Sequence, residues 1–252
     1  MAYIGNTDYY SRVAGGDVEG SSIMSAMGER ESIGTTVSGE DVWRYSGNVI
    51  GVPQAIGDLM TIQSTKAADG VAGTGVIEVR IHYIDVADGL EKTVDVLTNG
   101  TTTVNIPTIR ALFVNDMYSI DVGSGGVADG EITVFQTGVA TNVFNVISAG
   151  GNKSMVPAKM VPTGYELILK GWHATEAQGK RCAIRIRSTD MNNELLAGVF
   201  GFKDTVYLSK SSSGNLPLNV RVPALSIVKI SAWAVVNGAE VGCGWWGELK
   251  EL

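Results

Sequence analysis

The feature that most constrains this chain is a hydrophobic period of two, interrupted by glycine-bearing turns. In VIEVRIHYI, Val76–Ile84, the residues Ile77, Val79, Ile81 and Tyr83 alternate with Glu78, Arg80 and His82. A strand with one buried face requires that alternation, and a helix of period 3.6 cannot use it. Asp88-Gly89 leads into LEKTVDVLT, and Asn99-Gly100 leads into TTTVNI. Such dipeptides supply the positive φ of a tight hairpin. IRALFVNDMYSIDV follows, and GEITVFQ comes after Asp129-Gly130. Strands at roughly 8–12-residue spacing predict an antiparallel sandwich over 54–140.

A second series covers 141–252. YELILKGW sets Tyr165, Leu167 and Leu169 against Glu166 and Lys170, and CAIRIRS sets Cys182, Ile184 and Ile186 against Arg185 and Arg187. LPLNVRV alternates in the same way, and Asn237-Gly238 separates LSIVKISAWAVV from AEVGCGWWGEL. This spacing fits an eight-stranded sandwich of jelly-roll type. The 32 glycines among 252 residues suit a fold with many reversals.

Residues 1–53 lack this period. Tyr3, Tyr9, Tyr10, Met24 and Met27 are scattered among Gly, Ser, Asp and Glu. A short helix is expected at Ser21–Met27, with a serine cap before it and Gly28 after it. The remainder reads as an extended attachment arm that orders on contact with a partner, with Tyr3, Tyr9, Tyr10, Met24 and Trp43 as the expected contact residues. The expected fold is therefore all-β: an extended N-terminal arm followed by two antiparallel β-sandwich domains, the second of jelly-roll type. On this reading, removal of residues 1–45 leaves folded β domains. Trp43, in GEDVWRYSGNVIGVPQ, is expected at the seam between arm and first sandwich or at a subunit joint.

The net charge of −7 argues against a nucleic-acid partner, because phosphate neutralisation needs clustered Lys and Arg. No run of 18 apolar residues is present to insert into a membrane as a helix. The start, MAYIGNTDYYSRV, lacks the charged and apolar regions of a secretory leader, so synthesis in a cytoplasm is expected. Cys182 and Cys243 read as buried thiols.

Catalytic groups are sparse. His82 and His173 are the two histidines, and His173 with Glu176 is the one pairing that could serve a hydrolase. Neither cysteines nor histidines have zinc spacing. Asp85, Asp88, Asp121 and Asp129 lie in acidic turns that could face calcium, but this count of carboxylates is thin for one calcium loop, and hydrogen-bonded Asx-turns are the expected explanation. SAGGNKS, Ser148–Ser154, lacks the full phosphate-loop pattern. The chain is expected to have no enzymatic activity, no cofactor and no metal. In GWWG, Trp245 and Trp246 must point to opposite faces of a strand. One ring is expected in the core, and the other at a subunit contact or a glycan site.

The arm YIGNTDYYSRVAGGDVEGSS, then GEDVW and GVPQ, together resemble a group of virion proteins of tailed bacteriophages. STKAADGVAGTGVIEVRIHYID, IRALFVNDMYSIDVGSGGVADGEITVF and ISAGGNKSMVPAKMVPTGYELIL extend that resemblance over nearly the whole chain. It implies a structural component of a phage particle, in a head-decoration, neck or collar, or tail-fibre role. The implied partners are other phage structural proteins and further copies of the chain, a trimer being one form. A receptor-binding protein that recognises a host glycan through Trp245 and Trp246 is the alternative.

Overall fold

The computed structural model describes residues 9–45, 47, 49–52, 54, 56–189, 199–209 and 213–252, with 107–109, 213 and 215 described as backbone. Among these residues one short helix, α1 (Tyr9–Gly15), precedes the strands. First come β1 (Ser21–Ile33) and β2 (Glu40–Asp41). Then follow β3 (Asp58–Ser64), β4 (Val76–Asp85), β5 (Glu91–Leu97), β6 (Val104–Val122), β7 (Ile132–Gln136) and β8 (Val139–Ile147). The chain closes with β9 (Lys159–Met160), β10 (Tyr165–Glu176), β11 (Cys182–Ser188), β12 (Gly201–Leu208), β13 (Ser213–Val222), β14 (Ile227–Ala234) and β15 (Ala239–Glu251).

The two ends of the chain share one unit. A four-stranded sheet runs β1-β15-β10-β13 and another runs β12-β11-β14-β2, all pairs antiparallel. Their facing sides fill one apolar cluster with Met24, Leu167, Leu169, Trp172, Ile184, Ile186, Ile230 and Trp245. A bulge between Leu169 and Gly171 switches the inward phase of β10, so odd-numbered Leu167 and Leu169 share the core with even-numbered Trp172 and Ala174.

The middle strands form a six-stranded sheet ordered β5-β4-β6-β3-β7-β8. β6, at 19 residues, pairs with β3 along its first part and with β4 along its last. Leu59 pairs with Arg110 and Met60 with Ile106, so the residues between them bulge out of register. The sheet folds over at this strand, as corner strands allow. Phe113 on β6 then meets Phe144 on β8 edge-on, with ring centroids 6.1 Å apart, and Asn145 Nδ2 donates to Val114 O at 3.1 Å. Residues 54–140 are thus part of one continuous folded sheet rather than a sandwich of two, because β6 belongs to both halves. That sheet also takes in β8, which ends at Ile147.

Residues 21–41 are not a free arm. β1 pairs with β15 from Ser21↔Lys250 to Ile33↔Ala239, and β2 pairs with β14. The helix expected at Ser21–Met27 is strand, since Met24 and Ala26 point inward at period two and the waiting edge of β15 satisfies the backbone. Helix propensity loses to that distant partner.

The units meet where the chain crosses from Val42, in the sandwich core, to Trp43, in the core of the six-stranded sheet. Trp43 is 0% exposed; its Nε1 donates to Gly47 O at 3.0 Å, and its ring meets Tyr45 edge-on. Asn115 clasps Met160 with both amide atoms, Nδ2 to O at 3.0 Å and N to Oδ1 at 2.7 Å. Gly89, with φ of 70°, turns its carbonyl to Thr163 N at 2.8 Å. The buried ion pair Lys229–Asp41, at 2.9 Å, anchors the crossing, and Asp41 also accepts from Ile50 N.

Within the six-stranded unit, Asp69 is fully buried and organises three loops. It accepts from Ser64 Oγ and from the backbone N–H groups of Val76, Asp129 and Gly130. Asp69→Ala leaves those donors unpaired, and the expected loss exceeds ~3 kcal/mol, read from urea unfolding. Truncation separates the two readings of the N-terminus. Removing residues 1–20 takes away α1 and leaves both cores, so cooperative unfolding persists. Removing residues 1–45 strips β1, β2 and Trp43, and the expected product lacks near-UV dichroism and a cooperative transition.

Candidate functional site

The outer face of the β1-β15-β10-β13 sheet carries α1. Tyr9 Oη donates to Glu248 Oε1 at 2.6 Å, and Ser21 Oγ donates to the same oxygen at 3.1 Å. The Tyr10 ring stands edge-on to Trp246 at 5.4 Å, and Tyr9 stands edge-on to Tyr10 at 5.1 Å. Lys170 Nζ lies 5.8 Å from the Tyr10 centroid. Val13 is buried beneath the helix. Gly171 clears space for the indole: a Cβ there would sit 3.0 Å from Trp246 Nε1. A groove of about 300 Å³ opens beside Trp246, walled by Lys170, His173, Leu216 and Pro217.

Glu248 is itself buried, and its hydrogen bond is the main cause that raises the Tyr9 hydroxyl above the ordinary tyrosine pKa, with loss of solvent second. Tyr9 remains 40% exposed, so the bond positions the helix more than it stabilises the fold.

The predicted contact residues divide sharply. Tyr9, Tyr10 and Trp246 come together on this face, although Tyr9 and Glu248 are 239 positions apart. Trp246 keeps 37% of its surface. Trp245 points inward and donates through Nε1 to Pro157 O at 3.0 Å. Met24 and Trp43 lie in the two cores: Met24 offers no surface to a partner, and Trp43 sits where the two units of one chain meet rather than at a contact with another protein. Tyr3 lies outside the described residues. Glu248 was not legible as a partner, since its parity with Trp246 shows a shared face but nothing shows what covers it.

The groups considered for chemistry are occupied or apart. His173 faces solvent, whereas Glu176, three residues along the same strand, is buried and accepts from Gln178 N and Lys180 N. A separation of three puts the two on opposite faces. His82 Nε2 approaches Tyr118 Oη at 3.5 Å. Asp85 and Asp88 both pair with Lys92, at 2.7 and 2.8 Å, and each accepts a backbone N–H as an Asx-turn does. Among the described residues no three His, Cys, Asp or Glu side chains converge as metal ligands. SAGGNKS links β8 to β9, and its Lys153 pairs with Asp116 at 3.2 Å. Both cysteines are free and buried, and burial raises the Cys182 thiol to about 11 and Cys243 further still.

No family model matches the chain, and no curated protein matches it by sequence. Among solved structures it is similar to that of the infectious bursal disease virus Gx strain, at 10% identity over 92% of this chain and 72% of that one, with a TM-score of 0.25. The VP2 subviral particle of the same virus gives 10% identity, 93% and 73% coverage and a TM-score of 0.22. Likeness at this level carries no argument about fold or function.

The Tyr9–Glu248 bond is expected to make the seating of α1 dependent on pH. A tyrosine whose pKa is raised in the folded state contributes below its unfolded value of 10.0 and loses that contribution as pH rises through the higher folded value. Trp246 emission is expected to shift in that alkaline window as Tyr10 moves away. Tyr9→Phe abolishes the step, and Trp246→Phe identifies the reporter.

Proposed function

We propose that this chain is a non-enzymatic structural protein of a virion, of the tailed-bacteriophage kind that its sequence resembles. The supporting observation is strand order. With the two-residue β9 set aside, which pairs with β14 off the main path, the sandwich strands in chain order are β1, β2, β10, β11, β12, β13, β14 and β15, and the sheets read 1-8-3-6 and 5-4-7-2. That is the interleaved double Greek key of a jelly roll, an architecture common to viral capsid and lectin domains and to cupins. Fold alone does not choose among these. The filling of this sandwich favours a structural role, because Trp172, Trp245, Ile184 and Ile230 occupy the space between the sheets where an internal site would lie.

The six-stranded unit is inserted between the second and third of those strands, β2 and β10. The chain therefore consists of a sandwich base closed by both its ends, with a second lobe looped out of it. This suits a base seated on a capsid or neck and a lobe displayed outward, as a decoration or collar protein, with further copies and other particle proteins as partners. The surface formed by α1 and Trp246 is the proposed attachment face, taking the role first read into a longer arm. A tail-fibre role with Trp245 and Trp246 as a sugar platform has less support, since Trp245 is buried and Tyr10 stands against Trp246.

Quantitative mass spectrometry of purified particles tests the reading. A fixed copy number per particle is expected, and deletion of residues 1–20 is expected to lower occupancy without unfolding the free protein. Absence from particles, with the protein present in the producing cell, overturns it. Light scattering of the free protein is expected to give a multiple of the 26.6 kDa chain mass, a trimer in the first instance.

A further inference from the structure

The outer face of the second sandwich sheet holds a cluster that the proposed role leaves unused. Cys182, Ile184 and Ile186 of β11 point into the core, so Ala183, Arg185 and Arg187 point out. The register places Ala183 between Tyr207 on β12 and Trp233 on β14. Arg185 lies between Thr205 and Ser231, and Arg187 between Phe202 and Lys229. The rows thus alternate rings with cations across three strands.

The rings and guanidinium groups hold one another in place. The Arg185 guanidinium sits 3.7 Å from the Trp233 centroid and 4.4 Å from that of Phe202. Arg187 lies 5.1 Å from Phe202, and Tyr207 stands edge-on to Trp233 at 6.5 Å. Ala183, with its short side chain, is buried beneath those two rings. Tyr207 is 75% exposed and Phe202 59%. Large aromatic rings so far from cover are uncommon on a surface without a ligand or partner.

The charge on this face is equally unbalanced. Among the described residues Arg185 has no carboxylate partner. Arg187 donates Nη2 to Ser38 O at 2.8 Å, and its buried Nε has no acceptor. Asp41, opposite Ser231 on β2, is committed to Lys229 and Ile50. In a chain of net charge −7, neither guanidinium group forms an ion pair with a carboxylate among the described residues.

We infer that this face is a platform for a saccharide that carries a carboxylate. The sugar's C–H face would lie on the exposed rings of Tyr207 and Phe202, and its carboxylate would take the planar donor fork of Arg185, which the Trp233 ring holds in place. Strand addition to a peptide draws on the backbone groups of a sheet edge, and helix capture on an apolar groove, whereas this cluster lies across the face of three strands. Single-stranded nucleic acid also stacks on rings, but it needs a basic track for successive phosphates, and a net acidic chain with two cations here offers none.

The test is calorimetric titration of the full chain with sialyllactose and with a galacturonic acid oligomer, against lactose and a thymidine oligonucleotide. Binding of at least one acidic sugar is expected, at least tenfold tighter than lactose. Trp233→Ala should abolish it and Arg185→Lys should weaken it about tenfold, while Trp246→Ala leaves it unchanged. Thermal melts confirm that each variant is folded; if Trp233→Ala is not, Tyr207→Ala takes its place with the same expected loss. No binding of either acidic sugar by the intact chain, binding insensitive to these changes, or equal binding of the oligonucleotide overturns the proposal.

Discussion

The pairing of β1 with β15 is the constraint on which the rest of the molecule depends. It joins Ser21 to Lys250 and Ile33 to Ala239, so the first strand of the sandwich cannot form until the last is present. It also sets α1 over Trp246 and Glu248, since β1 delivers the helix to that face. Such a closure is entropically expensive for the folding chain, because it brings together segments separated by nearly its full length. The inserted six-stranded sheet lowers that cost if it forms first, since its own pairings are all confined to residues 58–147.

The seam between the two units is built from few but specific contacts. Val42 and Trp43, adjacent in sequence, enter different cores, which leaves the connection no slack. The buried Lys229–Asp41 pair and the two-way clasp of Asn115 on Met160 add direction to that packing. A buried ion pair contributes little net stability, but removing one partner leaves a stranded charge, so such a pair penalises any other arrangement. Asp69 plays the same part for the loops of the inserted sheet.

Much of the strand content was legible from residue types, and the pairing was not. Asp88-Gly89 does join neighbours, β4 and β5. Asn99-Gly100 separates β5 from β6, which lie on opposite sides of β4, and Asn237-Gly238 carries the chain from one sheet to the other. Both glycines have positive φ, at 57° and 86°. Positive φ reports a sharp reversal, but it says nothing of which strand the chain meets afterwards. β1 was missed because GERES breaks its alternation where the strand reaches the rim, and β12 because GFKDTVYL is mostly half-exposed. Of the contact residues, the opposed faces of Trp245 and Trp246 could be read from strand parity, whereas the burial of Met24 and the edge-on contact of Tyr10 with Trp246 could not.

The sequence by itself determined that this is a β protein: period-two alternation and turn glycines are local properties, fixed by side-chain direction and backbone sterics. It also determined the thinness of its acid–base and metal-binding inventory, because a chain with two histidines and two widely spaced cysteines has few ways to assemble one. Only the tertiary structure decided that the N-terminal residues complete a sandwich begun at the other end, and that Trp43 fills a core. It alone set Arg185 between Trp233 and Phe202. Those outcomes depend on which distant edge is free to pair and which face remains uncovered, and no local pattern encodes either.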